Sequence, residues 1–177
     1  SNIGTLILAQ KVGEQKYKKF IRETNLLSTP EFQLEELGTP LSFKWNKCKL
    51  ETISYGHGIA VTPLQAAATY AALSNGGNLI KPTIVKKNIS AKKKIISSKT
   101  SEEINSILRK VVTEKEGTAS LANIYGYDVG GKTGTSQKYG KEKENLNTFI
   151  SVFPSQKPKY VLLVMLENPQ VAKDLIY

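Results

Sequence analysis

Apolar residues recur at three- and four-residue steps from the start of the chain. Ile3, Leu6, Ile7 and Val12, followed by Tyr17, Phe20 and Ile21, predict an amphipathic helix, or two helices broken near Gly13, with one face packed inward. From Leu26 to Leu50 no period is sustained, and Pro30, Gly38 and Pro40 interrupt the text, which predicts a connector without regular structure. The clearest pattern comes next. Thr62 stands as an N-cap, Pro63 at the first helical position and Gln65 at the third, so a capping box opens a helix. That helix carries Leu64, Ala67, Ala68, Tyr70, Ala71 and Leu73 and stops at Gly76-Gly77. Its alanines predict close approach to neighbouring backbone, hence burial.

Beyond Pro82, Ile84 and Val85 lead into a basic stretch from Lys86 to Lys94 before Ile95 and Ile96 resume, which predicts a small hairpin with a charged tip. Thr100 with Glu103 forms a second capping box for a helix through Ile104, Ile107, Leu108, Val111 and Val112 that ends by Gly117. Tyr125 to Gln137, Thr148 to Phe153 and Tyr160 to Leu166 are β-branched or aromatic enough to be strands. The turn from Pro154 to Pro158 makes the last two an antiparallel hairpin.

The 177 residues suffice for one domain with a hydrophobic core, and 40% apolar with 23% charged residues is a globular balance. The net charge of +10 is therefore a surface property. A lone Cys48 closes no intrachain disulfide, and one cysteine with one histidine, His57, excludes a spaced Cys/His zinc cluster, so no metal and no cofactor is expected. The longest apolar run, Tyr160 to Leu166, falls far short of the roughly 18 residues of a membrane span. The opening Ser1-Asn2-Ile3-Gly4 has neither an initiator Met nor a signal-peptide pattern and is expected to be cut from a longer precursor.

Candidate chemistry centres on Lys132-Thr133-Gly134-Thr135. Lys132 brings a cation, and Thr133 and Thr135 offer hydroxyls on opposite strand faces or in a twisted edge. Gly134, without a side chain, lets a peptide-like ligand lie against the backbone as an added strand. His57 invites a general-base role, but its Gly-His-Gly setting reads as a loop leading into the Thr62 helix. Cys48, between two lysines, reads as a passive thiol. With Arg22 and Arg109 as the only arginines and no RNA-binding signature, the Lys86 to Lys94 cluster is a solvated lysine face rather than a nucleic-acid footprint. Attraction to anionic polymers or lipid headgroups is a modest extra. Asn88-Ile89-Ser90 fits a glycosylation sequon too short to carry weight.

Four stretches taken together say more than any one. Ser54-Tyr55-Gly56-His57-Gly58-Ile59-Ala60-Val61-Thr62-Pro63-Leu64-Gln65, then Ala71-Ala72-Leu73-Ser74-Asn75-Gly76-Gly77, then Glu116-Gly117-Thr118-Ala119, and Gly126-Tyr127-Asp128-Val129-Gly130-Gly131-Lys132-Thr133-Gly134-Thr135, resemble in order and spacing the penicillin-binding protein transpeptidases. The pattern is most similar to the class B, division-type (FtsI-like) members, with His57 departing only in ring type. The resemblance runs from Ser1 to about Pro169 and is weakest between Thr29 and Lys49.

The family works with three motifs, Ser-x-x-Lys, Ser-x-Asn and Lys-Thr-Gly. By the resemblance, this chain holds the third whole, Asn2 is the Asn of the second, and the nucleophilic Ser with its Lys lies upstream. The internal match from Ser90 to Lys93 sits in the basic hairpin tip and is not expected to be catalytic. The implied fold is α/β of the α+β type, an antiparallel sheet packed with helices as in serine β-lactamases and penicillin-binding transpeptidases, incomplete at both ends. Residues 1–177 would form the carboxy-terminal part of a single transpeptidase domain.

The implied activity of the parent is peptidoglycan cross-linking by serine acyl transfer on D-Ala-D-Ala stem peptides, with β-lactams acylating the same serine. Lys132 and Thr135 would be catalytic together with Asn2, and Thr133, Gly134, Thr135 and Asn2 would bind substrate. Lys132 would hold positive potential over the site, the Thr135 N–H would be half of an oxyanion hole, and the Asn2 amide would donate to the acyl peptide. The implied partners are stem peptides, β-lactams and membrane-embedded cell-wall and division proteins, with no nucleic acid, on the periplasmic side of the inner membrane. A β-lactam hydrolase or sensor relative and a polyanion-binding module are the alternatives. The isolated chain is expected to be inactive, and because relatives continue past Tyr177 into a segment and helix that cover the sheet, part of its apolar face is expected to stand exposed, with poor solubility or self-association following.

Overall fold

The computed structural model describes residues 1–38, 40–45, 49–86, 93–138 and 141–169. Cys48, the Asn88-Ile89-Ser90 sequon, the Ser90 to Lys93 motif up to residue 92 and most of the Lys86 to Lys94 stretch lie outside the described residues. The chain forms two compact units, Ser1–Ile104 and Asn105–Tyr177.

In the first unit the opening apolar pattern becomes two helices, α1 (Asn2–Val12) and α2 (Glu14–Glu23), separated at Gly13. Gly13 takes φ 86°, a conformation that glycine adopts without the Cβ penalty of other residues. The expected inward face is only partly present. On α1, Ala9 is buried, whereas Ile3, Ile7, Leu8 and Val12 are exposed. On α2, Ile21 is buried. A short helix, α3 (Lys49–Ser54), packs against α1, and its first two residues fall in the stretch expected to be irregular. The rest of that connector holds no helix or strand among its described residues, as its composition predicts.

The capping box forms as read. Thr62 Oγ1 accepts from Gln65 N at 3.2 Å, and Gln65 Oε1 accepts from Thr62 N at 3.3 Å, opening α4 (Pro63–Ser74). The helix is buried or half-buried beyond Pro63, but its deepest stripe is Gln65, Thr69 and Ala72 rather than the larger apolar residues. Ser101, itself buried, closes the far end. Its hydroxyl donates to Leu73 O at 2.6 Å and accepts from Gly76 N at 3.0 Å.

The expected hairpin after Pro82 is displaced. Backbone pairing joins Asn78 to Lys94, with Leu79 N donating to Lys93 O and Ile95 N to Gly77 O, while Ile84 and Val85 are exposed and form no strand. Instead Gln33 bonds Thr83 and the Ile84 N–H, and Glu31 pairs with Lys81, so the connector straps residues 81–84.

The next helix, α5 (Ser98–Thr113), starts two residues before the expected cap. Ser97 is the N-cap: its Oγ accepts from Thr100 N at 3.0 Å, so Thr100 stands at the third helical position. Ser101, Asn105, Leu108 and Val112 form the buried stripe at helical spacing, while Ile107 is exposed.

In the second unit, strands β1 (Gly130–Lys138), β2 (Lys141–Phe153) and β3 (Tyr160–Glu167) form an antiparallel sheet in the order β1-β2-β3. The expected first strand is shortened, because residues 125–129 lie outside it. The β2–β3 hairpin is present, its turn closed by Lys157 N to Pro154 O and Lys159 N to Phe153 O. Leu108, Val112, Ala119, Val129 and Val152 are buried in this unit. Part of the sheet's apolar surface is exposed: on β3, Tyr160, Leu162, Val164, Met165 and Leu166 are all exposed.

Gly77 carries the sharpest backbone constraint in the first unit. It takes φ 90°, and a Cβ there would lie 2.1 Å from the Ile96 carbonyl oxygen. Gly77→Ala is therefore expected to cost about 3 kcal/mol or more in chemical denaturation, since strain and overlap act together. An unchanged unfolding midpoint would contradict that placement.

Candidate functional site

Lys132 to Thr135 lie near the start of β1, at one edge of the described sheet, where one side of the strand has no neighbour among the described strands. Three glycines let the strand take that position. A Cβ on Gly130 would come within 3.1 Å of the Arg109 backbone nitrogen, one on Gly131 within 2.6 Å of the Phe149 ring, and one on Gly134 within 2.7 Å of Thr148 Oγ1. Helix α5, the Phe149 ring and Thr148 thus crowd the strand too closely for larger residues.

The approach to β1 is fixed by one carboxylate. Asp128 pairs with Arg109 Nε at 2.9 Å and accepts from Ser155 Oγ at 2.8 Å and Gln156 N at 3.2 Å, while its own carbonyl accepts from Ser155 N at 2.6 Å. Arg109 also donates to Val129 O at 2.8 Å and to Asn123 Oδ1 at 3.2 Å. Helix α5, the lead into β1 and the β2–β3 turn therefore meet at one hydrogen-bonded charge pair. Both side chains are largely shielded from solvent, which makes each bond count for more than it would at an open surface.

Along the strand, Lys132 is exposed and its Nζ donates to Thr133 O at 2.7 Å, with Thr133 Oγ1 at 3.5 Å. Thr148 Oγ1 on the neighbouring strand donates to Gly134 O at 3.3 Å. The Gly134 carbonyl thus faces β2 and the Thr133 carbonyl the free edge. Because N–H and C=O of alternate residues of an antiparallel strand point to one side, the Thr135 N–H lies on the free edge too. Thr133 and Thr135 stand opposite Phe149 and Asn147 in an unbroken register, so they share one face of the sheet. This corrects the opposite-face expectation: the period of two puts residues i and i+2 together. The edge thus presents one ammonium, two hydroxyls and outward backbone groups, a set suited to holding a carboxylate and an extended peptide.

Asn2 belongs to the other unit, exposed in the first turn of α1, with its carbonyl accepting from Thr5 Oγ1 at 2.9 Å. His57 is exposed in the turn after α3, where Gly56 N donates to Ile53 O and His57 N to Thr52 O, as its flanking glycines predict. Two residues given no role on sequence grounds touch this strand's environment directly. Asp128 sits in the stretch that carries the motif, and Thr118 Oγ1 lies 2.8 Å from Thr133 Oγ1. Neither contact has a local signature, because its partners lie 15 or more residues away. Among the described residues no group of three or more His, Cys, Asp or Glu side chains is arranged to hold a metal ion.

The profile of the family described as the penicillin binding protein transpeptidase domain matches residues 1–176. The probable peptidoglycan D,D-transpeptidase FtsI of Caulobacter vibrioides is 32% identical, over 96% of this chain and 31% of that protein. Stage V sporulation protein D of Bacillus subtilis is 35% identical, over 96% of this chain and 29% of that protein. The chain thus spans about a third of the length of the curated relatives it matches. Among solved structures, penicillin binding protein 3 of Mycobacterium tuberculosis complexed with aztreonam superposes with a TM-score of 0.88 at 27% identity, over 96% of this chain and 43% of that one. The transpeptidase domain of Burkholderia pseudomallei penicillin-binding protein 3 gives 0.87 at 27% identity, over 96% and 54%.

Removing the Asp128 carboxylate should loosen the root of β1. Asp128→Ala is expected to lower stability by about 2–3 kcal/mol, and Asp128→Asn by less, since the amide oxygen still accepts from Ser155. Equal losses for the two variants in thermal unfolding would contradict the role given to the hydrogen bonds.

Proposed function

The chain belongs to the penicillin binding protein transpeptidase family, and from that premise we propose that residues 1–177 are the carboxy-terminal part of a single transpeptidase domain in a division-type peptidoglycan D,D-transpeptidase. The match of one family profile to residues 1–176 supports the single domain. In this reading a serine of a Ser-x-x-Lys motif elsewhere in the parent attacks the penultimate D-Ala carbonyl of a stem peptide. Its proton passes to the motif Lys and on to the departing D-Ala amine, and an acyl ester remains. An amine of a neighbouring strand then attacks the ester, forms the cross-linking amide and returns the proton to serine. A β-lactam enters the same way, but its opened ring stays attached, so the ester persists.

The single observation that carries this reading is the free edge of β1 bearing Lys132, Thr133, Gly134 and Thr135. Lys132 holds a cation beside the site and draws in the substrate carboxylate, to which the Thr133 and Thr135 hydroxyls donate. Gly134 leaves room for the peptide backbone. The outward Thr135 N–H supplies half of the oxyanion hole, where one donor is worth roughly 2.7–4 kcal/mol of barrier. Asn2, as the Asn of the second motif, donates its side-chain amide to the acyl peptide. The 177 residues alone, without the serine, are inactive. The parent works on the periplasmic side of the inner membrane with membrane-embedded cell-wall and division proteins. Among the described residues no helix is long and apolar enough to cross a membrane.

The test is intact-mass analysis of the parent protein after incubation with benzylpenicillin. One adduct of the drug's mass is expected, abolished by replacing the Ser of Ser-x-x-Lys and formed about 10²-fold more slowly by Lys132→Ala. A folded parent that stays unmodified would contradict the reading. Rapid loss of the adduct would point to a hydrolase instead.

A further inference from the structure

Gly117-Thr118-Ala119 follows α5, and its backbone is held on both sides of Thr118. A Cβ on Gly117 would lie 2.2 Å from the Val111 carbonyl oxygen, so the chain passes the end of the helix at a distance only glycine permits. Gly117 N donates to Glu114 O at 2.9 Å, Ala119 N donates to Val111 O at 3.3 Å, and the Ala119 side chain is buried. Thr118, between them, is exposed, and its hydroxyl reaches the half-buried Thr133 hydroxyl at 2.8 Å.

We propose that Thr118 is a positioning residue that orients the Thr133 hydroxyl toward a ligand carboxylate. This deepens the transpeptidase reading and rests on it. Proton count decides the direction of the bond. A threonine hydroxyl has one proton and two lone pairs, an ammonium only donates, and a carboxylate only accepts. Thr133 Oγ1 has the Thr118 hydroxyl at 2.8 Å and the Lys132 ammonium at 3.5 Å. If Thr133 gave its proton to Thr118, it would meet the carboxylate with lone pairs and repel it. If Thr118 donates to Thr133, the Thr133 proton is left for the carboxylate, and Lys132 remains on the second lone pair. Ligand binding therefore selects Thr118 as donor and Thr133 as acceptor. Both side chains are β-branched, which restricts χ1 and keeps the two hydroxyls in register.

The test is the rate of acylation of the full-length parent by benzylpenicillin, measured in a double-mutant cycle. Thr118→Val keeps the shape and removes the hydroxyl. It is expected to slow acylation about five- to tenfold, Thr118→Ser to restore most of the rate, and Thr118→Val to add nothing once Thr133→Val is present. Unfolding midpoints of the variants separate a folding defect from lost orientation, and Thr118→Ala, which also lacks the hydroxyl, takes the place of Thr118→Val in the cycle if Thr118→Val folds poorly. An unchanged rate in Thr118→Val, or an equal loss in both Thr133 backgrounds, overturns the positioning role while leaving the transpeptidase reading intact. A wild-type parent that is not acylated overturns both.

Discussion

The charge pair between Asp128 and Arg109 is the constraint on which the candidate strand depends. Asp128 stands two residues before β1 and binds helix α5 through Arg109 and the β2–β3 turn through Ser155 and Gln156. The direction in which β1 leaves that junction is therefore set before its first residue is paired. Gly130 and Gly131 then bring the strand against the α5 backbone and the Phe149 ring, at distances that a methyl group would close. The candidate groups from Lys132 onward inherit this position, so the contacts that hold the strand also set where those groups stand.

Local chemistry was legible in the sequence wherever one segment contains all of it. The Thr62-Pro63-Leu64-Gln65 start forms as written because cap, proline and glutamine act within four residues. The Pro154 to Pro158 turn between two apolar strands leaves little alternative to a hairpin. Features governed by distant partners were less legible. The α5 cap is Ser97 rather than Thr100, a choice between two hydroxyls three residues apart that the pattern alone does not decide. The buried faces of α4 and α5 run through Gln65, Thr69, Ser101 and Asn105 rather than the larger apolar residues that periodicity selects, and two of these polar side chains bind distant backbone, Gln65 at the Asn25 carbonyl and Ser101 at the Leu73 carbonyl and the Gly76 N–H. In the pairing around Asn78 and Lys94 the second arm, at Ile95, was legible, but the first lies at residues 77–79 rather than at Ile84 and Val85, because no β-branched run marks it.

The same division holds at the candidate site. Lys132-Thr133-Gly134-Thr135 stands out because the residue types are contiguous, and the family match over residues 1–176 places the motif in a known context. The residues that hold it are scattered: Arg109, Thr118, Asp128, Phe149 and Ser155 come from a helix, a loop and two further segments. Edge position is likewise a property of the sheet order, not of the strand's own sequence, and it is what turns a lysine, two threonines and a glycine into an accessible row.

In the proposed parent enzyme this row faces the ligand of the acylated serine. The most direct measurement is a crystal structure of the parent protein after acylation by benzylpenicillin. The ester carbonyl oxygen is expected within hydrogen-bond distance of the Thr135 N–H, and the drug's carboxylate at the Thr133 hydroxyl beside Lys132. An acyl-enzyme whose drug makes none of these contacts, with the β1 edge left facing solvent, would contradict it.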